Sequence, residues 1–160
     1  MLKTVTRNSY KKIDETWIVN KKYSIEFEPF EYNNENILLI VELVKNCLDL
    51  SLLEKKYRNE NRINKMYGHC YHSTQAIYYL MDTDKLIPYS AKDDRNDVHW
   101  WLQDGNTIID ATVEQYSIRG VLPPYEKGKV SKWYGWKNRP HKKSLVLIKR
   151  ILGSYNNAII

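Results

Sequence analysis

Between residues 36 and 57 apolar side chains recur at helical intervals: Ile37, Ile40, Val41, Val44, Cys47 and Leu48 fall on one face. Leu38 and Leu39 widen that face, which predicts a well-buried helix. The cluster Asn33-Asn34-Glu35-Asn36 breaks the preceding segment and starts the helix. Asp49 and Ser51 open a second short helix through Leu52, Leu53 and Tyr57, and 58–65 reads as a charged, Asn-rich loop. Upstream, 1–34 is polar with short apolar bursts. Residues 16–19 and 23–28 read as strands, the second with Tyr23, Ile25 and Phe27 on one face and Pro29 ending it.

Downstream the pattern changes. Gly68 gives the chain freedom to turn, and 70–81 has helical character through Ala76, Ile77, Leu80 and Met81. The charged stretch 82–97, with Pro88, reads as a loop. Residues 98–102 form a strand, Asp104-Gly105 is a hairpin signal, and 107–109 begins the return strand. A Pro/Gly-rich loop spans 120–128, and the apolar-basic stretch 144–152 suits helix or strand. No internal repeat, low-complexity tract or linker interrupts the pattern. The 160 residues thus suggest a single α+β domain. N-terminal strands and helices would occupy 1–65 and a core carrying any chemistry 66–152.

Composition sharpens this picture in three ways. Thirteen Tyr and five Trp against two Phe favour packing with polar handles, in the core or along a cleft. The net charge of +6 is spread over Lys11-Lys12, Lys21-Lys22, Lys55-Lys56 and 127–150, as a basic surface suited to acidic partners. Lys132, Trp133, Trp136, Arg139, His141, Lys142 and Lys143 interleave aromatic and basic residues, a composition that can hold nucleic acid by stacking and phosphate contact. The two cysteines, Cys47 and Cys70, argue against a disulfide scaffold and for a reducing compartment. No signal peptide or membrane-length apolar run is visible. A cytoplasmic protein is expected.

Cys70 is the residue with the most chemical promise. It sits in Gly68-His69-Cys70-Tyr71 at a predicted helix start, where the positive end of the helix dipole favours a thiolate. His99 lies on the first strand of the hairpin and Asp110 follows on the second. A two-residue turn at Asp104-Gly105 would make them direct cross-strand neighbours, and a one-residue change in loop length would put them on opposite faces. Asp110 would then fix the tautomer of His99. Taken singly, each residue has an ordinary alternative: Cys70 as packing, His99 as a satisfied core histidine, Asp110 as a turn cap.

The order of Cys on a helix start, then His and Asp on successive strands, resembles the transglutaminase-like branch of the papain-like thiol superfamily. The matching segments are Gly68-His69-Cys70-Tyr71, His99-Trp100-Trp101-Leu102 and Ile109-Asp110-Ala111-Thr112. Over roughly 67–150 the chain also resembles small uncharacterised proteins of tailed bacteriophages. Those share a Gly-His-Cys-Tyr box, a His-Trp box, an Asp-x-Thr-x-x-Gln box (Asp110 to Gln115) and a Pro-Tyr-Glu-x-Gly box (Pro124 to Gly128). The resemblance implies a helix bearing the Cys packed on an antiparallel sheet bearing the His and Asp. It implies a cysteine-dependent hydrolase or acyltransferase acting on an amide, ester or thioester carbonyl, with no cofactor, in a host bacterial cytoplasm. Cys70, His99 and Asp110 would be catalytic, and Tyr71, Trp100, Gln115 and Tyr125 would bind a protein or small acyl substrate. Papain-like enzymes often add an oxyanion donor upstream of the cysteine, usually Gln. No Gln precedes Cys70, so Asn59, Asn61, Asn64 or a backbone N–H would take that place.

Two other readings use the same residues. His69, Cys70, His72, His99 and Asp110 are all possible zinc ligands, although no recognised ligand spacing occurs. The boxes can equally frame a non-enzymatic protein that docks on a host protein or nucleic acid.

Overall fold

Two paired strands open the chain in a computed structural model that describes residues 3–13, 16–81, 83–133 and 140–159. The side chains of Tyr23 and Ile25, and the residues Trp136 and Arg139, lie outside what is described. Strands β1 (Lys3–Ile13) and β2 (Thr16–Phe27) run antiparallel, with a register shift at Ser9/Tyr10. The two short strands expected within 16–28 are one continuous strand. Its partner β1 lies in a stretch too polar to announce it. Beyond β2, Phe27 and Phe30 are buried, and the Phe30 N–H donates to the Leu80 carbonyl at 3.1 Å.

Helix α1 (Asn34–Cys47) starts where Asn33 Oδ1 accepts the Asn36 N–H at 2.8 Å, satisfying one of the amides left open at a helix start. Only Ile40 and Val44 of this helix are fully buried, and Leu38 is 70% exposed. The wide apolar face therefore narrows to a stripe, because a residue two positions before Ile40 points well away from it. Asp49 caps a 3-10 turn at Leu50–Leu52. Helix α2 (Lys55–Asn61) then runs into the stretch read as loop. Its polar composition hid it, since Asn61 is its one buried residue.

The Asn61 side chain donates to the carbonyls of Lys65 (2.9 Å) and Tyr67 (2.8 Å), closing the loop that leads to Gly68. Gly68 has φ +84°, and a Cβ there would stand 2.9 Å from Leu53 Cδ2 and 3.0 Å from Tyr57 Cβ. Backbone freedom and lack of bulk are both required at this turn. It delivers the chain into α3 (Cys70–Leu80), which buries most of its length.

Helix α3 packs on one side against a C-terminal helix and on the other against a sheet. Here α4 is the short Glu114–Ser117, and the C-terminal helix is α5 (Lys142–Ile159). Leu147, Ile148 and Ile151 of α5 are buried, which resolves the helix-or-strand ambiguity of 144–152 in favour of helix. The sheet is fully antiparallel, in the order β5-β4-β3-β6, with β3 (Ile87–Lys92), β4 (Val98–Asp104), β5 (Thr107–Ile109) and β6 (Lys129–Val130). Strand β3 replaces the loop expected over 82–97. Pro88 reads as a breaker but is tolerated because β6 pairs only with Tyr89 and Ser90.

The β4–β5 register places Leu102 opposite Ile109 and Asp104 opposite Thr107, so the turn is Gly105-Asn106 and not Asp104-Gly105. Gly105 takes the positive φ, +55°. This moves the register by two residues from the expected one. Side chains alternate with period two, so His99 and Asp110 keep a common face while becoming diagonal neighbours.

The two tryptophans of β4 divide the core between them. Trp100 stacks on Trp133 (centroids 5.3 Å apart, 24° between planes) and meets the edge of Tyr71. Its carbonyl accepts the Thr74 hydroxyl of α3 at 3.1 Å. Trp101, on the other face, lies against Gly128, where a Cβ would sit 2.9 Å from Cη2. Full burial of such side chains contributes on the order of 2–3 kcal/mol each. Trp133 is a core residue, 7% exposed, which removes it from the surface stacking platform that the basic-aromatic stretch suggested. No helix among the described residues is long and apolar enough to cross a membrane.

Candidate active site

The start of α3, the middle of β4 and the residue after β5 meet at one place. Cys70 is the first residue of α3 and is partly exposed. The first amide bonded within the turn is that of Ser73, to the His69 carbonyl at 3.1 Å. The N–H groups of the three residues before it head the helix without an intrahelical acceptor. They give the Cys70 sulfur the positive end of the dipole. The sulfur lies 3.7 Å from the Val98 carbonyl of β4, the residue beside His99.

The His99 ring is buried, and its Nε2 lies 2.6 Å from Asp110 Oδ2. Burial alone would strip the ring of its proton. The Asp110 carboxylate outweighs that, and the Cys70 sulfur adds to it, so the ring is held in its protonated form to about pH 10. Nε2 is committed to Asp110, and the ring is also within hydrogen-bonding reach of the Cys70 side chain. Trp101 stacks along the ring (5.8 Å, 26°) and Tyr116 meets it edge-on at 4.8 Å, fixing its plane.

Asp110 is held at every acceptor position. Oδ2 also accepts the Tyr125 hydroxyl at 2.7 Å. Oδ1 accepts the Thr112 N–H at 3.0 Å and the Thr112 hydroxyl at 3.2 Å. Burial and the adjacent carboxylate both keep the Tyr125 hydroxyl protonated, hence a donor. Gln115 Nε2 donates to Thr112 Oγ1 at 3.1 Å and lies 3.5 Å from His99 Nδ1. Gly128 then backs Trp101, which also packs against Tyr125. The four sequence boxes thus converge on one histidine.

Cys70 opens onto a cleft of about 500 Å³. Tyr71, Trp100 and Gln115, read from the sequence as substrate contacts, are among its lining residues, although Trp100 is 2% exposed and mainly core. Tyr125 is not among the lining residues. Its hydroxyl donates to Asp110 instead. Sequence reasoning missed Tyr57, Tyr67, Asp93, Asp97 and Tyr116, which complete the walls. Tyr116 donates to Asp93 Oδ2 at 2.9 Å, a pairing across residues that no short motif links. Among the lining residues are Glu54, Asp93 and Asp97 but no Lys or Arg, inside a chain of net charge +6.

The three asparagines upstream of Cys70 do not reach this cleft. Asn61 spends its amide on the 65–67 loop. Asn64 donates to the Gln115 carbonyl at 2.9 Å, and Asn59 accepts from Arg62. Of the histidines beside Cys70, His69 is buried and His72 half-buried, and both are neutral. Desolvation lowers His69 to about 4 and His72 to about 3, and both ring nitrogens of His69 lack a hydrogen-bond partner. Among the described residues no three His, Cys, Asp or Glu side chains are grouped to hold a metal ion. Cys47 is remote, with its sulfur 3.6 Å from Ser154 Oγ between α1 and α5.

Searches of protein-family models, curated proteins and solved structures find no match to the chain.

Proposed function

We propose that the chain is a cysteine-dependent hydrolase or acyltransferase, with Cys70 as nucleophile, His99 as base and then acid, and Asp110 as the group that orients His99. One observation carries this reading. A buried imidazole is clamped between a fully bonded carboxylate and a cysteine at a helix N-terminus that opens onto a cleft.

In this mechanism the Cys70 sulfur attacks an amide, ester or thioester carbonyl while His99 holds the proton on Nδ1. That proton then passes to the leaving group, and a thioester remains on Cys70. Water or a second nucleophile, deprotonated by His99, resolves the thioester. The Cys70 N–H at the helix start stabilises the oxyanion. We place the chain in the papain-like, transglutaminase-like class on the order of its residues and on a Cys-bearing helix packed against the antiparallel sheet. A phage origin and action in a bacterial cytoplasm belong to the same proposal and rest on the box pattern alone.

The test is alkylation of Cys70 by iodoacetamide across pH, in a Cys47→Ser background, with and without His99→Ala. Rapid alkylation below pH 7 that is lost with His99 supports the pair. A free thiol titrates near about 8.5. Reactivity that follows such a thiol in both proteins overturns the enzymatic reading and leaves a binding module on the same scaffold.

A further inference from the structure

We infer that Gln115 is the second oxyanion donor of this site, supplied from downstream of the aspartate. The inference rests on the thiol acyl-transfer reading and goes beyond it by assigning a residue.

The Gln115 backbone is anchored: its main-chain carbonyl accepts from Asn64 Nδ2 at 2.9 Å, and its main-chain N–H donates to the Thr112 carbonyl at 3.1 Å. The side-chain nitrogen faces Thr112 Oγ1 at 3.1 Å. The Thr112 hydroxyl proton is already directed at Asp110 Oδ1, so Oγ1 has only acceptor capacity left for Gln115. That fixes nitrogen, not oxygen, on this side of the amide. One N–H is thereby used, and the second lies at the His99 Nδ1 edge, 3.5 Å away, in the cleft that Cys70 also lines. Gln115 is only 6% exposed, so its remaining N–H has little access to bulk water.

The state of the ring decides what that N–H does. In a neutral ring with its proton on Nε2, Nδ1 accepts it weakly. In the imidazolium both nitrogens carry protons, Nδ1 has no lone pair, and the Gln115 N–H needs another acceptor. Attack creates one. As the sulfur–carbon bond forms, the carbonyl π pair moves onto oxygen. The charge is then shared by the Cys70 N–H and the Gln115 N–H. As the bond to the leaving group breaks, the Nδ1 proton transfers to that group and Nδ1 again accepts from Gln115. With His99 protonated, as it is before attack, the ring offers this N–H no acceptor, and the developing oxyanion supplies one.

Two reagents separate this role from others. Iodoacetamide alkylates a thiolate by displacement and forms no oxyanion, whereas p-nitrophenyl acetate acylates through one. Both are followed by mass at Cys70, in the full chain with Cys47→Ser. Gln115→Met keeps the shape and removes the donor, and Gln115→Ala removes the side chain. The expected result is alkylation within about 2-fold of the parent and acylation slower by about 10²–10³-fold, the range for one lost oxyanion donor. Parent-like alkylation also reports that the variant is folded. Unchanged acylation overturns the assignment. A parallel fall in both reactions makes Gln115 a support for His99 and equally overturns it. Acylation of the parent that is indifferent to His99→Ala removes the acyl-transfer reading itself, and the assignment with it.

Discussion

Tyr125 and His99 share a single oxygen of Asp110: the Tyr125 hydroxyl reaches Oδ2 at 2.7 Å and His99 Nε2 reaches the same atom at 2.6 Å. A carboxylate pinned in this way cannot rotate to follow the ring, so the ring must take the orientation the carboxylate sets. Tyr125→Phe frees that rotation without removing charge. The expected cost is about 1–2 kcal/mol of stability and a loss of roughly 10-fold in His99-dependent acylation of Cys70. Urea unfolding and acylation rates measured side by side check it. An acylation rate equal to the parent's would reduce Tyr125 to packing.

Asp110→Asn removes the influence that opposes burial at His99. The ring then gives up its proton at far lower pH, because desolvation is left largely unopposed. The alkaline limb of acylation should move down from near pH 10 toward neutrality, with the maximal rate lower by about 10³–10⁴-fold. Stability should fall by only about 1–3 kcal/mol. A pH–rate profile decides the point, and an alkaline limb that does not move would recast Asp110 as structural.

The carboxylates at the cleft wall give a prediction about charge. With Glu54, Asp93 and Asp97 lining the cleft and no Lys or Arg among the lining residues, Cys70 should prefer cationic reagents. Aminoethyl methanethiosulfonate is expected to modify it about 10-fold faster than the sulfonatoethyl reagent in low salt. The gap should narrow in 0.5 M salt and shrink in Asp97→Asn. Equal rates for the two reagents would show that these carboxylates are screened from the sulfur.

His69 and His72 predict an acid-sensitive fold. Both are neutral in the folded chain, lowered to about 4 and about 3 by burial, whereas an unfolded histidine titrates near about 6.5. Protons therefore bind the unfolded chain first. The contribution is fully present above pH 6.5 and is lost as pH falls toward 4, by roughly 3 kcal/mol for His69 alone. Urea midpoints between pH 7 and 4.5 should fall steeply in the parent and less in His69→Phe. Parallel slopes would show that His69 gains a partner on protonation.

Cys47→Ser should leave alkylation and acylation at Cys70 unchanged, since its sulfur lies between α1 and α5 and away from the cleft. Selective loss of Cys70 reactivity, with the fold intact by circular dichroism, would contradict this placement.

The sequence carried the centre of the site better than its walls. Helix α3 and strands β4 and β5 were readable because Gly68, the helical spacing of 76–81 and the apolar runs flanking Gly105 are local signals. The pairing of His99 with Asp110 survived an error in the turn. Strand β3 was hidden because none of its residues is fully buried and Pro88 reads as a stop. The polar β1 was hidden for want of apolar alternation, and α2 because it buries little. Tyr116 with Asp93 and Tyr125 with Asp110 are contacts between distant segments, which only tertiary packing creates. Gln115 was visible as a box residue. Its neighbour on the ring was not, since its side chain meets His99 only once the loop after β5 has closed.

The turn at Gly105-Asn106 has a consequence for how this hairpin can change. The β4–β5 pair carries its own frame of two. Lengthening or shortening the tip by an even number of residues slides histidine and aspartate past each other yet leaves both facing the same way. An odd change turns one of them toward the opposite side. The tip thus sets two things at once, the face the pair shares and its spacing along the strands, which changes by about 3.4 Å for each residue of slip.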